Sequence, residues 1–299
     1  MVYSLVLGSL ISLLVIPMLL LPALLRSIHE RRRADNRFEP GRRAGSAPRL
    51  GGVALAVAFL GIVLLICLVH PAAISGEHRQ SLHVIWGALA MLIIGTWDEY
   101  RRLGPLRKLL LQALTCAGLF SQGIQVEPFS APVTSSILAE ILCNGFITVL
   151  WLVSLTNLVQ VIDKVIGLAS IIGLTALALV GLAGYCAGVE FPALCAMGLV
   201  GALAGFSIYH LPPARIRLGN GGACLLGFLI AALTTLAASD GTILAGSVTP
   251  FAVVTLLILA AGFAVLRRSL GGASLLARPP KPAARRASFP QRGIKPHAS

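Results

Sequence analysis

The chain has 299 residues, of which 57% are hydrophobic and only 12% are charged, and its formal net charge at pH 7 is +13. This composition excludes a soluble globular domain of that length and predicts a multi-pass membrane protein. Basic residues beside membrane helices mainly set topology and contact anionic lipid. The positive charge therefore predicts membrane lipid as a partner of the chain, and no nucleic acid.

Runs of roughly 17 to 25 apolar residues are long enough to cross a bilayer as helices. Because backbone polar groups must bond internally there, the fold class is predicted to be all-α, a polytopic integral membrane helix bundle. We predict about nine transmembrane helices, the third and fourth being the weakest, at residues 3–25, 51–70, 82–96, 109–125, 137–156, 168–186, 191–211, 223–239 and 248–266. Basic residues follow the first span rather than precede it, so it is expected to stay as an anchor.

The basic residues indicate which loops face the cytoplasm. Lys and Arg are confined, except for Arg79, to segments 26–50, 96–108, 157–167, 212–220 and 267–299. By the positive-inside rule the N-terminus is predicted to lie outside and the C-terminus in the cytoplasm. Residues 1–268 form the predicted transmembrane domain, and residues 269–299, rich in Pro, Arg, Ala and Ser, form a basic cytoplasmic tail predicted to be disordered.

Polar residues gather at helix ends on this predicted cytoplasmic side. The four segments are SAPRLGG (46–52), GTWDEYRRLGPLRK (95–108), TNLVQVIDKVIGLA (156–169) and PPARIRLGNGGACLLG (212–227). In the second, the adjacent carboxylates Asp98 and Glu99 suit a hard cation such as Mg²⁺. Arg101 and Arg102 just beyond suit phosphate. The alternative is a solvated cluster of loop charges.

The third segment places polar side chains at three-residue steps. On a helix, Asn157, Gln160 and Asp163 share roughly one face, and their oxygens suit a cation or a nucleotide. An ionisable residue at a membrane boundary is a functional candidate. A structural pair of Asp163 with Lys164 or a nearby arginine is the alternative.

Glycines mark the other two segments. Gly51 and Gly52 follow Arg49 at the start of the second span. Exposed backbone N–H groups there, together with Arg49, suit the binding of an anion. The alternative is a turn that only begins the helix. The run LGNGG, residues 218–222, is a glycine-rich turn that opens a helix, a geometry able to cradle phosphate through backbone amides. The four polar segments on one side of the bilayer are together stronger evidence of a functional site than any one of them.

Taken in order, the segments resemble those of the polyprenyl-phosphate N-acetylhexosamine-1-phosphate transferases, over about residues 1–268. That family includes the phospho-N-acetylmuramoyl-pentapeptide transferases and the undecaprenyl-phosphate N-acetylglucosaminyl 1-phosphate transferases. The family patterns are T-P-x-x-G-G, matched by APRLGG; an acidic pair, matched by WDEYRRLGPLRK; N-x-x-N-x-x-D-G-x-D-G-L, matched by NLVQVIDKVIGLA; and P-A-K-I-F-M-G-D-x-G-S, matched by PPARIRLGNGGA. Nothing after Arg268 matches the family's histidine-rich loop.

The resemblance implies a bundle of ten or eleven helices with a cytoplasmic active site in a bacterial inner membrane. There, an N-acetylhexosamine 1-phosphate passes from a UDP-sugar to undecaprenyl phosphate with Mg²⁺ or Mn²⁺, which initiates a wall polymer, O-antigen or other surface polysaccharide. The matched positions imply catalytic roles for Asp98, Glu99 and Asp163, metal binding by Asn157, Asp163 and Asn220, and substrate binding by Arg49, Arg101, Arg102, Asn157, Gln160, Arg215, Gly221 and Gly222.

Five positions depart from the family patterns. Glu99 replaces an aspartate and Gln160 an asparagine, each longer by one carbon. Lys164 stands in place of a glycine, while Ile166 and Asn220 each stand in place of an aspartate. These changes remove negative charge from the implied metal site and should weaken its hold on a divalent cation.

Three functional readings follow from the sequence. One is a transferase, active or residually active, that makes a polyprenyl-diphosphate-linked N-acetylhexosamine. Another is a catalytically impaired member of the same fold that binds the lipid carrier or another membrane protein. An unrelated transporter or channel would explain the bundle but not the four ordered segments.

Overall fold

The computed structural model of the chain describes residues 51–69, 80–101, 103–126, 137–165, 167–210, 216–238 and 249–270. These residues form eight α-helices and no strand, which confirms the all-α prediction for this part of the chain. The helices are α1 (Gly51–Val69), α2 (Gln80–Arg101), α3 (Pro105–Ser121), α4 (Ile137–Ile162), α5 (Leu168–Ala187), α6 (Glu190–His210), α7 (Gly219–Ala238) and α8 (Thr249–Leu270).

Six of these eight helices are long and apolar enough to cross a membrane: α1, α4, α5, α6, α7 and α8. The weakest predicted spans, 82–96 and 109–125, do form helices, α2 and α3, but these fall outside that group. The predicted span 3–25 and the tail 271–299 lie outside the described residues. The described part is therefore a multi-pass membrane bundle, while nine spans and the orientation of the termini stay predictions.

The centre of the bundle is α7. It packs against α2 and α4 most extensively and also contacts α1, α5, α6 and α8. Nearly every residue of α7 is buried, from Gly219 to Ala237. By contrast α1, α4 and α8 expose large apolar side chains such as Leu64, Phe146 and Phe251, which suits helices that face lipid.

Glycines let the other helices approach α7 closely. A Cβ added to Gly52 of α1 would lie 2.5 Å from the backbone N of Gly222, and one added to Gly95 of α2 would lie 2.7 Å from the backbone O of Asn220. A Cβ added to Gly227 would lie 2.8 Å from the Cα of Thr156 in α4. Small residues at such crossings allow backbones to pack in membranes, so the first turns of α7 lie directly against three neighbours.

The helix ends follow ordinary capping rules. Pro105 begins α3 directly after Gly104. Proline suits the first position of a helix, because the backbone N–H that it lacks would have no partner within the helix there. Gly188 ends α5 with φ +79°, and Val189 N–H then donates to the Gly184 carbonyl at 2.9 Å. The turn leaves α5 and α6 as packed neighbours.

Candidate active site

The acidic pair lies at the end of α2, beside the first turn of α3. Asp98 accepts a 2.9 Å salt bridge from the Lys108 ammonium, and both side chains are mostly buried, 14% and 13% exposed. Lys108 also donates to the Gln160 side-chain oxygen of α4. The Lys108 ammonium thus connects α2, α3 and α4. In a buried ion pair of this kind, the attraction between the two charges must offset the free energy of removing both from water, so the loss of either partner is destabilising.

The start of α7 completes this contact. The Asn220 side-chain amide donates to Asp98 Oδ2, and the Asn220 backbone N–H donates to Glu99 Oε2 at 3.2 Å. Carboxylates at a helix N-terminus satisfy its unpaired N–H groups and its partial positive charge. Residues 219–222 of the LGNGG run, predicted as a turn, are the first residues of α7 itself. The acidic pair and this start of α7, separated by about 120 residues, therefore form one site.

Asp163 lies in the turn that follows α4. Its backbone N–H donates to the Val159 carbonyl at 2.9 Å, and the Lys164 N–H donates to the Val161 carbonyl at 3.3 Å. Gly167, with φ +83°, then reverses the chain into α5, a conformation that favours glycine. The turn places half-buried Asp163 and exposed Lys164 beside the acidic pair.

These groups surround one polar cavity of about 290 Å³. Its lining residues come from the ends of α2 and α4, the turn after α4 and the start of α7, namely Asp98, Glu99, Gln160, Asp163, Lys164, Arg217, Gly219 and Asn220. We call this the polar cavity. Carboxylates, amides, cations and a helix N-terminus face the same space, which suits a phosphate-bearing ligand.

A buried amide network lies deeper, below the polar cavity. Gln160 Nε2 donates to Cys224 Sγ at 3.0 Å, and Gln112 Nε2 donates to the same sulfur at 3.3 Å. Asn157 Nδ2 donates to Gln112 Oε1 at 2.9 Å and to the Val153 carbonyl at 2.8 Å. Asn157 therefore packs one turn below the cavity that Gln160 lines, instead of sharing it.

His210, at the end of α6, connects the two turns that carry the cavity residues. Its Nε2 accepts the Gly167 N–H at 3.3 Å, so its Nδ1 carries the proton and donates to the Ile216 carbonyl at 3.1 Å. The ring also stacks on Phe206, with centroids 5.1 Å apart. Burial lowers the pKa of His210 from its ordinary value, the hydrogen bond to Ile216 opposes this shift, and Arg217 adds to it. The ring is therefore a neutral structural bridge.

The structure describes nine of the twelve site residues singled out from the sequence, and it brings five of those nine together. Asp98, Glu99, Gln160, Asp163 and Asn220 line the polar cavity.

Arg101 lies apart from that group. It lines a neighbouring cavity of about 520 Å³ with Trp97, Leu103, Gly104 and Arg107. Arg49, Arg102, Arg215 and Ile166 lie outside the described residues. Arg101 is thus close to the acidic pair in sequence but faces a different space.

The glycines act mainly through packing. Gly51 N–H donates to the Arg217 carbonyl at 3.1 Å, so this amide serves the turn before α7 and is occupied without an anion. A Cβ on Gly221 would lie 2.5 Å from Thr96 Cγ2, and one on Gly222 would lie 2.7 Å from Gly52 Cα. Gly221 and Gly222 lie outside the polar cavity lining, and they position Asn220 by permitting close approach of α1 and α2.

Sequence reasoning missed Lys108, Arg217 and His210 as members of the site. Lys108 is one of four basic residues in a loop, and nothing local distinguishes it from a solvated cation. Arg217 carries a signal, because it stands inside the P-A-K-I-F-M-G-D pattern where the family has phenylalanine. His210 precedes that pattern, and only the fold shows that it bridges two turns.

The oxygen groups allow a test of whether Mg²⁺ fits. Among the described residues no three His, Cys, Asp or Glu side chains come together as a metal cluster. Mg²⁺, however, is commonly held by one or two carboxylates together with substrate phosphates and water. Asp98, Asp163 and Asn220, which carry oxygen groups, line the polar cavity. These residues fit a cation shared with a substrate and do not fit an all-protein cage.

The fold and the site define a class: a multi-pass helical membrane protein with a charged, phosphate-suited cavity at the ends of its helices. Residues 81–238 match the family model described as glycosyl transferase family 4, which is more than half of the chain. The chain belongs to this family. The polar cavity lies within the matched region, which confirms the resemblance found in the sequence.

The relatives that match the chain include two kinds of transferase. The "probable undecaprenyl-phosphate N-acetylglucosaminyl 1-phosphate transferase" of Bacillus subtilis (strain 168) is 30% identical over 230 residues, covering 75% of this chain and 60% of that protein. The "phospho-N-acetylmuramoyl-pentapeptide-transferase" of Streptococcus agalactiae serotype Ia is 29% identical over 213 residues, covering 66% of this chain and 61% of that protein. The chain thus spans about three fifths of the length of these relatives.

Proposed function

We propose that this protein transfers an N-acetylhexosamine 1-phosphate from a UDP-sugar to undecaprenyl phosphate, as the first step of a surface or cell-wall polymer. The observation that carries the proposal is the polar cavity, where three separate family segments meet. Relatives whose printed names describe such transferases match 75% and 66% of the chain. The cavity combines the acidic and basic groups that phosphoryl transfer requires.

The reaction asks the protein for positioning and charge neutralisation more than for covalent chemistry. An oxygen of the lipid phosphate attacks the phosphorus that bears the sugar. A new O–P bond forms, the bond from that phosphorus to the bridging oxygen breaks, and the bridging oxygen leaves on UMP. The lipid phosphate is a monoester that is largely ionised near pH 7, so it needs little help from a base.

Each part of the cavity has a proposed role in this reaction. Asp163 and Asn220 would hold Mg²⁺ or Mn²⁺, which, when bound, neutralises charge on the phosphate oxygens. Asp98 and Glu99 orient the start of α7, as their bonds to Asn220 indicate. This places Gly219 and Asn220, at the N-terminal end of α7, in the lining of the polar cavity.

The remaining predicted residues have supporting roles. Gln160 fixes the Lys108 ammonium and contacts the cavity, and Asn157 supports Gln160 from below through the Gln112 network. Arg101 and the undescribed Arg49, Arg102 and Arg215 are proposed to meet phosphate groups of the lipid or the nucleotide. The protein is proposed to reside in a bacterial plasma membrane with the polar cavity facing the cytoplasm, where UDP-sugars are made.

A direct assay tests this function. Purified protein in detergent is mixed with undecaprenyl phosphate, Mg²⁺ and one of several UDP-N-acetylhexosamines, and UMP release is measured. We expect UMP release that requires the lipid, with UDP-N-acetylglucosamine as the first sugar to test. The Asp98→Ala, Asp163→Ala double variant should abolish it, because both cavity carboxylates are gone.

A matched control uses the other end of the same helix. Glu140 lies in the first turn of α4, and Ile162 ends that helix 22 residues later, about 33 Å away at 1.5 Å per residue. Glu140→Ala should therefore retain UMP release. No UMP from the wild type above the double variant, across sugars and metals, would refute the enzymatic proposal and favour a carrier-binding role.

A further inference from the structure

Two cations face the polar cavity at positions where the family patterns have uncharged residues. Lys164, exposed in the turn after α4, replaces a glycine, and half-buried Arg217, just before α7, replaces a phenylalanine. Both line the same space as Asp98, Glu99 and Asp163. The two substitutions lie more than 50 residues apart in the chain, and the fold brings both to one site.

These substitutions change the formal charge of the cavity lining. Among the described residues, the lining has three carboxylates and two cations, a formal charge of −1. With glycine at 164, phenylalanine at 217 and aspartate at 220, as in the family patterns, the same described lining would have four carboxylates and no cation, a formal charge of −4, before the aspartate of the pattern at 166 is counted. The two cations therefore reduce the negative charge that an entering phosphate meets, and less charge is left for a divalent cation to neutralise.

Both cations stand on turns with defined hydrogen bonds. The Lys164 N–H donates to the Val161 carbonyl, and the Arg217 carbonyl accepts the Gly51 N–H at 3.1 Å. His210 bonds to Ile216, directly before Arg217, and to Gly167, shortly after Lys164. The backbone positions of the two cations are therefore set before a ligand binds, which lowers the cost of ordering them.

We propose that Lys164 and Arg217 bind the diphosphate of a nucleoside diphosphate directly, so that this protein holds the nucleotide part of its substrate without a divalent cation. That the ligand is a nucleotide rests on the proposed function, whereas the binding of its phosphate groups by these two cations rests on the lining of the polar cavity. The guanidinium of Arg217 can pair two phosphate oxygens in a fork, and the Lys164 ammonium adds a point charge. Metal then assists transfer without being needed for binding.

Isothermal titration of the purified full chain with UDP, in EDTA and separately in Mg²⁺, tests the proposal. We expect UDP to bind in EDTA with an affinity within a few-fold of that in Mg²⁺. Lys164→Gln and Arg217→Gln should each weaken binding in EDTA by about tenfold, the loss of one charge-assisted contact. Lys164→Arg should bind nearly as well as the wild type, because the charge is kept.

Two further variants complete the test. Arg107→Gln removes an equivalent charge from an exposed helix position outside the polar cavity, and it should leave UDP affinity unchanged. The triple variant Lys164→Gly, Arg217→Phe, Asn220→Asp restores the residues of the family patterns at these three positions. It should lose UDP binding in EDTA and bind in Mg²⁺, which also shows that it is folded.

The outcomes separate this inference from the proposed function. UDP binding that appears only with Mg²⁺, or equal affinities for Lys164→Gln and Arg107→Gln, would overturn the inference even if UMP release is observed. UDP binding in EDTA without any UMP release would instead refute the transferase proposal and leave the inference standing.

Discussion

Gly52→Ala tests whether close backbone contact between α1 and α7 builds the polar cavity. The added Cβ would lie 2.5 Å from the Gly222 N and 2.9 Å from the Gly222 Cα, and both are backbone atoms that cannot rotate away. Ordinary contact begins at 3.4 Å, so the helices must separate locally by about 0.9 Å. The first turn of α7, which holds Asn220, would move with them.

The magnitude follows from overpacking. Insertion of a methyl group into a packed backbone contact costs about 3 kcal/mol at the upper end of the usual range, and alanine in a helix regains about 1 kcal/mol over glycine. A net loss of about 2 kcal/mol should lower Tm by about 4–8 °C for a chain of this size. Because Asn220 shifts, UDP affinity and UMP release should also fall, since misplacement of about 1 Å can cost about a hundredfold in rate.

Thermal unfolding in detergent and UDP titration measure these effects, and α1 supplies the control. Gly61 lies in the same helix and has no atom within 4 Å of an added Cβ. Gly61→Ala should therefore keep Tm at or slightly above the wild-type value. If Gly52→Ala and Gly61→Ala give the same Tm and the same UDP affinity, the contact between α1 and α7 does not position the site.

Two further predictions concern Lys108 and His210. Lys108→Met should destabilise the protein by about 3 kcal/mol, because it leaves the mostly buried Asp98 carboxylate without its cation. Adding Asp98→Asn to this variant should recover part of the lost Tm. If the losses of stability from the two single variants simply add in the double variant, the ion pair does not stabilise the protein. His210→Phe should keep the Phe206 stack but lose two hydrogen bonds, about 2 kcal/mol at pH 7.5. Burial holds the His210 pKa below 6.5, so the native state favours the neutral ring, whose full contribution to stability is present above pH 6.5. Wild-type stability should therefore fall as the pH drops from 6.5 toward 5, because protonation is then favoured in the unfolded chain. Plots of Tm against pH that stay parallel for the wild type and His210→Phe would contradict this.

The sequence by itself located the described helices and the polar segments, although α2 and α4 extend beyond their predicted spans, to Arg101 and Ile162. Apolar runs without backbone partners in lipid must be helical, and α4, α5 and α7 lie where such runs occur. The acidic pair, the Gln160–Asp163 step and the LGNGG turn were also visible, because charged residues are rare in so apolar a chain. The family followed from the order of these segments.

The tertiary structure decided which helix is central. The spans of α5 and α7 have the same mean hydropathy, 2.0. Nevertheless, 94% of the α7 span is buried inside the protein, compared with 50% of the α5 span. Lipid tails are as apolar as a protein core, so hydropathy alone cannot distinguish a lipid-facing helix from a central one. The glycines of α7 and its neighbours determine this through backbone contact.

The tertiary structure also decided which polar residues form the site. Asn157 and Gln160 were predicted to share a face, but a three-residue step lowers a side chain by about 4.5 Å along the axis, and Asn157 bonds to Gln112 below the polar cavity. Lys108 and His210 became site residues through partners 52 and 43 positions away, Gln160 and Gly167. Sequence pattern reports what is near along one helix, whereas charge pairing and hydrogen bonding across helices depend on how those helices pack.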